Sequence, residues 1–224
     1  MLPLRRFGRR KKEGLEGAAG AGLPDRVRGE AAKGDVSLES GAWTGAVLHY
    51  DEAIASLDSA AEPGRPESIA AAEIYLKRGQ ALLRQSHAAV VGGPAGSISD
   101  YHIGIELGRR AIGDSTEAIR LNPSFAAAYC MRGEARVQTS RCERGTKSFR
   151  RASQYLAEAL EDFMQALALE PALAAAYAGR AVAHAALGQD IEADADVESA
   201  VVLGADAAAL RQTMRVWRQQ TSHF

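Results

Sequence analysis

The sequence predicts an all-α protein built from stacked helix pairs. Apolar residues recur at spacings of three and four from about residue 42 onward, which is the period of an amphipathic helix. No segment alternates with period two over the length of a strand. Hydrophobic residues make up 46% of the 224 residues, but aromatic residues only 6%, and alanine supplies much of the rest. Because alanine buries little area, such a core depends on close contact between helices.

Residues 1–40 differ from the rest of the chain in composition. They are rich in glycine, alanine and charge and poor in large apolar residues, which predicts a mostly disordered low-complexity tail, with one short helix as the alternative, before a helical domain at 41–224. The first twelve residues carry six basic side chains and lack the apolar stretch of a secretory signal. An organelle-targeting segment, a nuclear-localisation patch and a solvated tail are all compatible with this composition. We expect the protein to be located in the cytoplasm.

Charge and cysteine content exclude several classes of function. The formal net charge is −1, so no global field attracts nucleic acid or a membrane surface, and we expect neither as a partner. No apolar run reaches the roughly 18 residues that a membrane-spanning helix needs. Two cysteines, Cys130 and Cys142, make no disulfide framework and are expected to be free thiols in a reducing compartment.

Helical periodicity defines eight segments, separated by proline, glycine and polar breakers. The segments are approximately 42–60, 68–84, 100–121, 124–138, 147–170, 171–187, 189–203 and 206–219. Two inserts, near 85–102 and 138–151, are predicted to be loops. Gly104, Gly108 and Gly113 each cost about 1 kcal/mol relative to alanine inside a helix, so we expect the first turns of the third segment to fray.

Internal repetition organises the chain from residue 42 onward. The sequence EAIRLN precedes Pro123, QALALE precedes Pro171, and SAVVLG precedes Ala205. Tyr177 and Arg211 lie 34 positions apart, whereas Tyr129 and Tyr177 lie 48 positions apart. A period of 34 residues is typical of one class of helix-pair repeat, and the longer spacing indicates an insert of about 14 residues.

The spacing of small and aromatic residues resembles that of tetratricopeptide (TPR) repeats. One repeat contains Tyr129, Gly133, Ala159, Phe163, Ala166 and Pro171; the next contains Tyr177, Ala181, Ala193, Val197 and Ala200. An earlier one contains Tyr75, Gly79, Ala111, Ser115, Ala118 and Pro123, and a half-repeat with Ala53, Leu57 and Ala60 precedes it. The resemblance implies a TPR-like α-solenoid of about three repeats with a C-terminal capping helix, acting as a non-enzymatic scaffold for protein–protein interaction.

The resemblance also implies a concave groove lined by the first helix of each pair. Small and apolar residues dominate that face, which favours an extended or helical apolar peptide as the partner. The groove residues are Leu76, Gln80, Leu83, Ala127, Cys130, Met131, Glu134, Ala178, Gly179, Val182 and Ala186. Some TPR proteins hold an acidic C-terminus in a clamp of basic residues; none of the matching positions here is basic, so we exclude that mode. Packing of these residues against an insert or the N-terminal tail is the alternative.

A basic cluster inside the second repeat, at residues 132–151, gives a second hypothesis, a regulatory or assembly subunit that contacts an acidic partner through this insert and the basic N-terminus. Its members are Arg132, Arg136, Arg141, Arg144, Lys147, Arg150 and Arg151. A solvated loop is the simpler interpretation of the cluster, and without interleaved aromatic residues it is a weak signal for nucleic acid. The five histidines have no metal-ligand spacing, and we predict no catalytic residue, metal or cofactor. An enzyme with a site assembled at the inserts is a third, weaker alternative.

Overall fold

A computed structural model of the chain describes residues 23–57, 65–91 and 97–221, and these residues form helices and turns without a strand. The prediction of an all-α fold is therefore confirmed. The helices are α1 (Asp25–Glu39), α2 (Trp43–Ala55), α3 (Pro66–Val91), α4 (Ile98–Leu121), α5 (Ala126–Gly145), α6 (Phe149–Leu169), α7 (Ala174–Ala186), α8 (Asp190–Val202) and α9 (Ala207–Thr221).

Consecutive helices pair, and the pairs stack in chain order. Four pairs form from α1 and α2, α3 and α4, α5 and α6, and α7 and α8, while α2, α4 and α6 each also pack on the first helix of the following pair. The first helices α3, α5 and α7 contact one another in series, and α9 packs on α7 at the end of the array. This is the architecture of a TPR-like α-solenoid with a closing helix, as the repeat pattern predicts.

Three of the helix pairs turn through a residue with left-handed backbone geometry. Gly41 and Gly188 have φ angles of 79° and 76° in the turns after α1 and α7. Glycine adopts this conformation without the steric cost of a Cβ atom. Lys147 takes the corresponding place after α5 with a φ of 62°, the one non-glycine residue of positive φ in the described part of the chain.

Small residues opposite aromatic rings set the distance between the helices. A Cβ atom added at Gly34 of α1 would lie 2.6 Å from the ring of Tyr50 on α2, and one added at Gly133 of α5 would lie 2.8 Å from the ring of Phe163 on α6. Both rings are fully buried. The core therefore gains its density from aromatic rings seated on glycine, which is how an alanine-rich chain reaches the packing of an ordinary interior.

The expectation of a disordered tail up to residue 40 is wrong for residues 25–39, which form α1. Val27, Ala31 and Gly34 lie on one stripe of this helix and are buried against α2. Because the residues of that stripe are small, the segment has the low hydrophobicity of a disordered one. In the structure it pairs with α2, the helix that the sequence marked as a half-repeat. Residues 1–22, with the basic N-terminus, lie outside the described residues, as does Ala60.

Both predicted insert loops are largely helical. Helix α3 continues to Val91, and α5 continues through the predicted basic loop to Gly145. Helix α4 begins at Ile98, where the Ser97 hydroxyl accepts a hydrogen bond from the Asp100 amide at 3.1 Å. The predicted fraying of α4 is also wrong. A Cβ atom at Gly104 would lie 2.7 Å from the Cys142 sulfur, so glycine at this position allows α5 to pack closely on α4.

Candidate interaction surfaces

A Tyr–Arg–Asp unit recurs in three of the helix pairs. In each unit an arginine lies three residues after a tyrosine on the first helix, stacks on its ring, and donates two hydrogen bonds to a buried aspartate on the second helix. The units are Tyr75–Arg78–Asp114, Tyr129–Arg132–Asp162 and Tyr177–Arg180–Asp196. The aspartates were not predicted from the sequence, although Tyr-x-x-Arg recurs in the first helix of each of these repeats.

The unit in the second repeat is the most buried of the three. Arg132 donates from Nε at 3.0 Å and from Nη2 at 2.7 Å to Asp162 Oδ1, and Asp162 is 2% exposed. Arg136, one turn further along α5, also donates to Asp162, and it pairs with the Glu158 carboxylate at 3.2 Å. A buried carboxylate with two guanidinium partners is a structural element, since the cations satisfy its charge and its lone pairs.

These contacts change the interpretation of the predicted basic cluster. Arg132 and Arg136 are half-buried in the Asp162 pair, and Arg144 donates to the Ala186 carbonyl oxygen at 2.8 Å while stacking 5.9 Å from the centre of the Trp217 ring. Burial lowers the pKa of Arg144. The expectation of one continuous basic loop is therefore wrong. Arg141 is half-buried, and only Lys147, Arg150 and Arg151 among the seven are exposed.

Most of the apolar side chains assigned to the groove are closed off. The buried members are Leu76, Leu83, Cys130, Met131, Val182 and Ala186. Gly179 is half-buried, and a Cβ atom on it would collide with the Phe163 ring of α6, so it is part of the packing between repeats. The half-buried members with room at the surface are Gln80, Ala127, Glu134 and Ala178. The predicted apolar lining is thus more buried than expected, because consecutive first helices pack closely on one another.

Glu134 gives this face its distinctive chemistry. Its side chain lies on α5, between α3 and α7, and the Cys130 sulfur contacts Oε1 at 3.8 Å. Burial raises the pKa of Glu134 from 4.5 to about 7, against the opposing effects of Arg84 and Cys130. Burial also raises the pKa of the Cys130 thiol, and Cys130 and Cys142 are free, as the sequence indicated. The carboxyl group is therefore half protonated near neutral pH.

A separate cleft of about 510 Å³ opens between the first half of α4, the end of α5 and the start of α6. It is lined by cationic and apolar side chains around one buried carboxylate. The residues that define it are Ile98, His102, Ile105 and Arg109 on α4, Glu143 on α5, Lys147 in the turn, and Arg151 on α6. Glu143, Lys147 and Arg151 fall in the second predicted insert, whereas Ile105 and Arg109 fall in the third predicted helical segment. No sequence motif pointed to Arg109.

The described ranges contain neither a metal-ligand cluster nor a membrane-spanning helix. No group of three or more histidine, cysteine, aspartate or glutamate side chains is placed there to hold a metal ion. None of the helices in residues 23–57, 65–91 and 97–221 has both the length and the apolar character needed to cross a membrane.

The fold and its repeated units define the class of this protein, a TPR-like helical repeat protein. No protein-family model matches the chain, and no curated protein matches it. Among solved structures, it is similar to the MamA protein, with 18% identity, a TM-score of 0.33, and coverage of 80% of this chain and 91% of that chain.

Two further solved structures are similar to it at comparable levels. One is YrrB, described as a TPR protein with an unusual peptide-binding site, at 16% identity and a TM-score of 0.34, covering 83% of this chain and 90% of that chain. The other is the TPR2AB-domain:pHSP90-complex of yeast Sti1, at 14% identity and a TM-score of 0.34, covering 88% and 98%. At these levels of similarity no residue role transfers from those proteins to this chain.

Proposed function

We propose that this protein is a non-enzymatic interaction scaffold that binds a peptide or partner helix on the face formed by α3, α5 and α7. The observation that supports the proposal is the side-by-side arrangement of these three first helices, which joins residues from three repeats into one surface. Gln80, Glu134 and Ala178 lie on this surface and are half-buried, so a partner reaches them without opening the core. A stacked array offers an extended surface of this kind to a single segment of another chain.

The chemistry of the face favours a partner that is apolar with one polar or cationic contact. Small side chains at Ala127 and Ala178 leave room for the backbone of a bound segment. A cation placed against Glu134 stabilises the ionised carboxylate, so binding of such a segment lowers the pKa of Glu134 from its value of about 7. We expect affinity for such a partner to rise with pH between about 6 and 8.

The experiment compares two matched substitutions in one helix pair. The tagged chain is used to isolate a partner from its native host, and the affinity of the purified partner is then measured for two variants. Ala178→Arg places a long cation on the proposed face, whereas Ala195→Arg places the same side chain on an exposed position of α8. We expect Ala178→Arg to weaken binding at least tenfold and Ala195→Arg to leave it unchanged. Equal affinities for the two variants would exclude this face.

A further inference from the structure

We propose that the cleft between α4, α5 and α6 binds a phosphoryl group through Arg109, Lys147 and Arg151. The site is distinct from the face of α3, α5 and α7, because its lining comes from the extended ends of the helices and from the turn after α5. The volume of about 510 Å³ lies in the range of small-ligand sites.

The balance of charge in the cleft selects the ligand class. Three fixed cations line it against one carboxylate, that of Glu143, which leaves two positive charges. A phosphate monoester carries a charge of about −1.5 to −2 at neutral pH and offers three acceptor oxygens, so its charge balances that of the cleft. A ligand with a single carboxylate would leave one positive charge unbalanced. Guanidinium groups such as those of Arg109 and Arg151 suit bidentate contacts with phosphate oxygens. Glu106 also interacts electrostatically with Arg109, but it is exposed and lies outside the lining.

The structure orients the Arg109 side chain before any ligand arrives, and it fixes the backbone turn that carries Lys147. Arg109 donates from Nη2 to Glu143 Oε1 at 3.2 Å and from Nε to the Tyr155 hydroxyl at 3.4 Å, while 46% of its side chain stays exposed. Lys147 sits in a turn fixed by the bond from the Ser148 amide to the Glu143 carbonyl oxygen at 2.8 Å. Groups fixed by their surroundings lose little conformational entropy on binding.

Lys147 and Arg151 are also available, unlike most of the half-buried arginines. Arg78, Arg132, Arg136 and Arg180 are each paired with a buried aspartate. Within the described residues, neither Lys147 nor Arg151 has an acidic side chain within ion-pair distance. Helix α6 begins beside Lys147, and the dipole at its N-terminus adds to the positive field.

The test is a calorimetric titration of the full chain with inorganic phosphate in low salt. Three variants are compared: Arg151→Gln, Lys147→Asn and the control Arg150→Gln. Arg150 is the exposed neighbour of Arg151 and does not line the cleft; asparagine at 147 tolerates the left-handed backbone. We expect each cleft variant to bind phosphate about tenfold more weakly, as loss of a hydrogen bond between charged groups implies, with Arg150→Gln unchanged. Circular dichroism confirms that all three variants fold.

A second titration identifies the source of the phosphoryl group. A phosphoserine peptide is compared with the same peptide without phosphate. Binding of the phosphopeptide that Arg151→Gln weakens indicates a phosphorylated protein, whereas binding of inorganic phosphate alone indicates a small metabolite or free ion. The proposal is overturned if wild-type protein binds neither probe, or if Arg150→Gln weakens binding as much as Arg151→Gln. Since both probes are assayed without the groove partner, failure here leaves the groove proposal intact.

Discussion

Replacing Asp162 with asparagine perturbs a buried charge at the centre of the second repeat's Tyr–Arg–Asp unit. The carboxylate is 2% exposed and accepts from Arg132 at 3.0 and 2.7 Å and from Arg136. Asparagine keeps the shape but removes the charge, and its amide NH₂ faces guanidinium donors. Arg136 retains Glu158, whereas Arg132 loses its ion pair and keeps only uncharged partners, among them the Thr116 hydroxyl at 3.3 Å and the Tyr129 ring. Breaking a buried ion pair by removing one partner costs about 3–5 kcal/mol, and we expect a loss of that size in the free energy of unfolding.

Urea unfolding followed by circular dichroism at equilibrium measures this loss through the midpoint and slope of the transition. The matched control is Glu117→Gln, which removes the exposed partner of Arg120 in a pair within one helix. Exposed pairs contribute about 0–1 kcal/mol. If Asp162→Asn shifts the midpoint no more than Glu117→Gln does, the Tyr–Arg–Asp unit is not a stabilising element of the repeat.

The other predictions concern pH and packing. Burial raises the pKa of Glu134 from 4.5 to about 7, so the folded protein retains a proton that the unfolded chain releases in that window, and the free energy of unfolding falls as pH rises from 4.5 to 7. Glu134→Gln should remove this pH dependence of the unfolding free energy, which amounts to up to about 3 kcal/mol. If the variant's unfolding free energy, measured by urea titration, changes with pH as the wild type's does, Glu134 is not the group responsible. Burial lowers the pKa of His87 from 6.5 to about 4, so the free energy of unfolding falls as pH falls from 6.5 to 4. This effect is opposite in sign to that of Glu134. His87→Gln should therefore reduce the loss of stability on the acid side of the pH–stability curve. Gly108→Ala places a Cβ atom against the Thr139 hydroxyl and should destabilise the protein by about 1–3 kcal/mol. Gly113→Ala has open space around it and should stabilise the protein by about 0.5–1 kcal/mol. Thermal melts that rank the two variants in the opposite order would refute the packing of α4 on α5.

The helix pairs were predictable where the sequence carries strong periodicity. The pair α7 and α8 has no insert and follows the expected pattern of Tyr177, Ala181, Ala193, Val197 and Ala200, and the structure turns at Gly188 as predicted. Helix α1 was missed because its buried stripe consists of valine, alanine and glycine. Periodicity methods weigh hydrophobicity, and a stripe of small residues has little of it, although it allows close approach of a ring such as that of Tyr50.

The candidate sites were predictable only in part. Repeat register predicts that Gln80, Glu134 and Ala178 share one face, and the helices that carry them, α3, α5 and α7, contact one another in series. It did not reveal how deeply Leu83 and Val182 are buried, because burial depends on the distance between successive first helices. The partners of Arg132 and Arg136 were also hidden from sequence reasoning. Asp162 follows Arg132 by 30 residues, and the insert between them obscures a contact that the regular third repeat makes over 16 residues.

The inserts explain why the second and third helix pairs differ from the last one. Helices α3, α4, α5 and α6 have 20 to 26 residues, whereas α7 and α8 have 13 each. The added turns extend beyond the Tyr–Arg–Asp units, so the repeat packing is unchanged while new surface is created. Val90, Ile105 and Cys142 form a small core of their own between these extensions. Ile105 and Cys142 of that core lie on the same helices as Arg109 and Glu143, so these two residues of the proposed phosphoryl site stand on extended helices rather than on a loop.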